Sequence, residues 1–229
     1  MELDAPDLSW LPATMTADAR VTRGRPRPEP VRGAVTLGRP VVQPLTEELA
    51  AGDPPLRAFL AEQGGAWRFH LVHLGCSFLP EPGARFAQAW LTVRLSRADG
   101  VPEPVPIAWS LDPLRSERPV EQTTTVKIGA KALLEAGVEV STTGARSEVF
   151  LTAYGLQEDT CTWEFTRTAG EEIRGGQRLA LVARTPGRAV AVGEVELRAT
   201  LVRRRLGVLP YRVALDGGEP LRFRLAEGF

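Results

Sequence analysis

Residues 124–142 read TTVKIGAKALLEAGVEVST, and their pattern sets the expected fold. Val126, Ile128, Ala130, Ala132, Leu134, Ala136, Val138 and Val140 take every second position, with Lys127, Lys131, Glu135 and Glu139 among the residues between them. Only Leu133 interrupts. In an extended chain successive side chains point to opposite faces, so the pattern predicts a sheet element with one apolar and one wet face. It outlasts an ordinary strand of about five or six residues. A local helix over residues 130–136 is the competing conformation, because alanine and leucine favour it.

The same period recurs on both sides. In residues 160–168, Cys161, Trp163 and Phe165 alternate with Thr160, Thr162, Glu164 and Thr166, as expected of a half-buried antiparallel strand. Residues 86–95 place Ala87, Ala89, Leu91, Val93 and Leu95 on one face, and Trp90 on the other with Gln88, Thr92 and Arg94. Residues 67–74 divide into Trp67, Phe69, Leu71 and His73 against Arg68, His70, Val72 and Leu74. Residues 31–42 and 148–156 read as further strands. Residues 177–184 and 189–203 flank Thr185, Pro186, Gly187 and Arg188 and predict a hairpin; residues 211–215 and 221–225 close the chain as two short strands.

Residues 46–63 break this rhythm. Leu56, Phe59 and Leu60 recur at helical spacing after Gly52, Asp53, Pro54 and Pro55 and before Gly64, which predicts one short helix at an end of the core. The expected fold is all-β, an antiparallel β-sandwich or flattened barrel with one short helix. Residues 1–30, rich in proline and arginine, are expected to form an N-terminal arm or linker. Residues 31–229 would form the β-sandwich domain, with strand groups at 31–119 and 120–229.

Composition narrows the partners. The 229 residues are 43% hydrophobic, enough for a substantial core, and the formal net charge of zero gives no whole-molecule attraction to nucleic acid or an anionic membrane. Lys127 and Lys131 are the only lysines and asparagine is absent, a bias of GC-rich coding that points to a bacterial source. Cys76 and Cys161 are the only cysteines, too few for a disulfide framework. The first residues, MELDAPDLSW, lack the basic start and apolar core of a secretory signal. A cytoplasmic protein is expected.

No complete catalytic, metal or phosphate motif is present, so no catalytic, cofactor-binding or metal-binding residues are expected and the chain is read as a non-enzyme. The leading expectation is a non-catalytic protein-interaction or assembly module, binding a protein partner or itself through a sheet face or edge. Trp90 and Trp109 are the aromatics expected to reach outer faces, and Arg203, Arg204 and Arg205 form the densest basic cluster. That cluster also suits a strand end that blocks edge pairing.

Three other readings compete. A pore-forming or membrane-perturbing effector would insert residues 124–147, since about 9–11 alternating residues cross a bilayer as a strand. A Cys/His hydrolase-like enzyme would centre on His70, His73 and Cys76, although a strand sends the two histidines to opposite faces, His70 toward solvent and His73 beside the core. Arg23, Gly24, Arg25 and Pro26 match the core of an AT-hook, whose arginines enter a narrow minor groove. Four residues in a neutral chain do not favour DNA as the partner.

Overall fold

The computed structural model describes residues 2–4, 6–17, 31–64, 66–116, 125–127, 149–168, 171–187, 189–205 and 209–225. The strands are β1 (Glu2–Asp4), β2 (Trp10–Ala17), β3 (Val31–Leu45), β4 (Trp67–Phe78), β5 (Ala84–Arg97), β6 (Ile107–Asp112) and β7 (Arg115–Ser116). They continue as β8 (Thr125–Lys127), β9 (Leu151–Tyr154), β10 (Thr160–Thr166), β11 (Gly175–Pro186), β12 (Ala191–Arg205), β13 (Leu209–Asp216) and β14 (Leu221–Arg224). One helix, α1 (Pro54–Gln63), lies between β3 and β4.

Apart from the β1–β8 pair, the strands follow one hydrogen-bonded order, β6-β11-β4-β3-β2-β13-β12-β5-β10-β9-β7, with β14 beside β12. This order folds into two packed antiparallel sheets. The first holds β6, β11, β4, β3 and β2; the second holds β13, β12, β5, β10, β9, β7 and β14. Among the described residues their joint consists of Leu215 opposite Ala17 and Asp216 opposite Thr16. At the other margin the Gln157 N–H donates to the Ala108 carbonyl, and the Ala108 N–H donates to that of Glu158. The all-β sandwich expected from the sequence is therefore present, drawn toward a flattened barrel at both margins.

Alternation explains the core between the sheets. Along β10, Cys161, Trp163 and Phe165 are buried while the threonines between them stay half-exposed. Trp163 is fully enclosed, and its Nε1 donates to the Pro113 carbonyl at 3.0 Å, which satisfies the polar end of an otherwise apolar ring. Phe78 meets Phe86 and Phe165 edge-on, with ring centroids 5.3 and 5.6 Å apart.

A second apolar cluster covers the outer face of the first sheet. Leu56 and Leu60 of α1 pack there with Leu45, Phe69, Leu71, Ala180 and Val182. Asp53 caps the helix by accepting from the Leu56 N–H at 3.1 Å, and prolines open it where their missing donors cost nothing. No helix among the described residues is long and apolar enough to cross a membrane.

Several local expectations change. Residues 10–17, read as part of the arm, form β2 and pair with β3, because Ala13 and Met15 are buried in the core. The two strands on either side of Thr185, Pro186, Gly187 and Arg188 do not pair as a hairpin. β11 lies in the first sheet against β4 and β6, whereas β12 lies in the second against β5, β13 and β14. Each sheet thus draws strands from both sequence groups. Likewise β13 and β14 pair with successive lengths of the same β12 edge. In β5 a bulge lets Phe86 take the inward place expected of Ala87. Of residues 124–142 only 125–127 are described, and they pair with β1. The AT-hook residues 23–26 and the rest of the proposed insertion segment lie outside the described residues.

Candidate functional site

The tryptophans and arginines singled out from the sequence do not share a surface. Trp90 lies on the outer face of the second sheet, opposite Glu164 and Arg198, and is half-buried in polar surroundings. That face is knitted by Thr92–Thr162 hydroxyls at 3.0 Å and by Arg94 donating to Glu196 at 2.6 Å. Trp109 stands on the first sheet, at a bulge where Val182 pairs with Ser110 and Ala183 with Ala108. Its ring lies near Phe59 and Phe69 at 6.5 and 6.0 Å. The guanidinium of Arg184 lies 4.2 Å from the Trp67 ring and 4.5 Å from that of Trp109, a cation held between two aromatic faces. Burial holds the Arg184 pKa below its ordinary value. Arg203 donates to Glu81 at 3.1 Å, and Arg204 and Arg205 continue the strand opposite Pro210 and Leu209.

The Cys/His set is also dispersed. Val72, Leu74, Cys76 and Phe78 belong to the central core, whereas Phe69 and Leu71 belong to the cluster under α1. Alternation therefore turns His70 inward with Cys76 and His73 outward. His70 and Cys76 are separated by six strand residues, about 20 Å along the backbone. Burial raises the Cys76 thiol pKa, which suppresses its nucleophilic form. Among the described residues no group of three or more His, Cys, Asp and Glu side chains is placed to hold a metal ion.

Both histidines are buried, so the expectation that His70 faces solvent is corrected. The Nε2 atom of His73 and the Nδ1 atom of His70 lack hydrogen-bond partners. Burial, and then the charge of Arg178, lowers the His73 pKa. Burial, followed by the charge of Arg68, pushes His70 down to about 4. His70 is thus a neutral imidazole near neutral pH, with an orphaned nitrogen beneath a cavity wall.

That wall belongs to an open seam between the sheets. β2 covers β3 only as far as Gly38, while β3 continues along β4 to Leu45. On the other side β14 covers residues 192–195 of β12. Among the described residues no strand pairs with the free edge of residues 41–45 or with the outer edge of β14. Pro40 and Pro44 remove donors from β3 there, a common protection of an exposed strand edge.

A cleft of about 680 Å³ opens at this seam. Val42, Pro44, Leu45, Leu60, Trp67 and Phe69 give it mostly apolar walls, and Glu47, Arg68, His70 and Arg224 supply the ionisable groups. Its volume falls within the roughly 300–1,000 Å³ common for small-molecule sites. His70 was visible in the sequence on the same face as Val72 and Leu74, so apolar neighbours were the available signal for its burial. The cavity itself had no local signal, because its walls come from β3, α1, β4 and the C-terminal strand. No family model matches the chain, and no curated protein matches it.

Proposed function

We propose that this chain is a non-catalytic binding module that recognises its partner through the cleft beside β3. The observation carrying this reading is the apolar-walled cavity with Arg68, His70 and Arg224 in its lining. The protein partner or self-association expected from the sequence belongs to this proposal if the partner seats an apolar side chain here. A cytoplasmic setting is the accompanying inference, supported by two free, buried cysteines.

The test uses a neutral polarity-sensitive fluorophore, 6-propionyl-2-dimethylaminonaphthalene, titrated against the full chain. Saturable, blue-shifted emission is expected. Val42→Trp, which fills the cleft, should abolish it, whereas Arg94→Gln on the opposite sheet should leave it intact. Absence of saturable binding, or full binding in a folded Val42→Trp variant, would remove the cleft as the recognition site.

A further inference from the structure

We propose that the cleft selects a small amphipathic carboxylate, holding its anionic head between Arg68 and His70 and its apolar body along Val42, Pro44, Leu45 and Trp67. This deepens the binding reading above and depends on it. Arg68 and His70 are alternate residues of β4, so they share a face about 7 Å apart, and both line the cavity. A carboxylate has two acceptor oxygens, which lets one accept from the guanidinium and the other from a ring N–H.

The charge around the cleft favours an anionic head. Arg68 and Arg224 border it, and no carboxylate forms an ion pair with either among the described residues. Among the described residues Glu47 is the one acidic residue of the lining, and its carboxylate already lies 3.9 Å from Arg57. The remaining lining is suited to a hydrocarbon or aromatic body rather than a polar one.

The discriminating measurement is titration calorimetry of the full chain with decanoate, kept below its micellar concentration, alongside decanol. One decanoate per chain is expected, bound at least tenfold more tightly than decanol. Arg68→Gln should weaken decanoate tenfold or more and leave decanol unchanged, a difference that general loss of structure would not produce. Val42→Trp should abolish both, and the exposed Arg68→Gln variant preserves the test if Val42→Trp does not fold.

Equal affinity for decanol, or unchanged decanoate binding by Arg68→Gln, overturns the carboxylate assignment while leaving cleft binding intact. Decanoate binding that persists in folded Val42→Trp places the ligand elsewhere and also overturns it. Failure of both decanoate and the neutral fluorophore removes the cleft reading itself.

Discussion

The two sheets meet one core but present different outer faces. Among the described residues the second sheet is covered on one side only: β5, β10 and β12 bury alternate residues, and the others form a lattice of threonines, arginines and glutamates on the opposite face. The first sheet is covered twice. In β4, residues 69–76 are all buried, because the central core lies on one side and α1, with the segment around Leu8, lies on the other. A strand beneath two layers cannot keep a wet face. The double cover explains why the outward-facing His73 is enclosed in the first sheet, while charged groups on the outer face of the second remain paired at its surface.

The strongest way to break this contrast is to truncate corresponding outer-face residues. Leu71→Ala beneath α1 should cost about 2–5 kcal/mol in urea unfolding, whereas Thr162→Ala on the second sheet should cost less than about 1 kcal/mol. Similar losses at the two positions would show that the faces are not covered differently.

Acid should report the enclosure of the first sheet's histidines, most clearly through His70. Its pKa is about 4 in the fold against an ordinary 6.5, so the unfolded chain binds the proton first as pH falls. The stability supplied by its neutral form is complete above pH 6.5 and is lost as pH approaches 4, a change of about 3 kcal/mol. His73 is shifted in the same direction, whereas His70→Phe should remove only the His70 share of the slope. An identical pH dependence for wild type and variant would place His70 in contact with solvent.

The smallest expected effect concerns the arginine held by two tryptophans. Arg184→Met keeps the apolar stem and removes the charge, so a loss of about 1 kcal/mol in thermal or urea unfolding is expected. No loss would mean that desolvation of the guanidinium offsets its attraction to Trp67 and Trp109.

Much of the fold was legible because its signals are local. Asp53 and the following prolines mark the start of α1, and Cys161, Trp163 and Phe165 mark the inward face of β10. The missed relations are nonlocal. Thr185, Pro186 and Gly187 have the chemistry of a turn, but a turn does not specify whether the next strand pairs with its predecessor or crosses to another sheet. The bulges near Phe86 and Trp109 are likewise set by the opposing strands.

For the candidate site, the sequence supplied the residue types and, at His70, an apolar face. It did not bring Arg68 and His70 together with Val42 and Arg224, because their relation depends on where β2 stops covering β3 and where β14 joins β12. The sequence by itself determined an all-β chain with one capped helix, since hydrophobic period and turn chemistry act over neighbouring residues. Only the tertiary structure decided which strands crossed between sheets, which face of β4 met α1, and where the seam left a cavity. Those outcomes depend on the packing and hydrogen bonding of segments far apart in the chain.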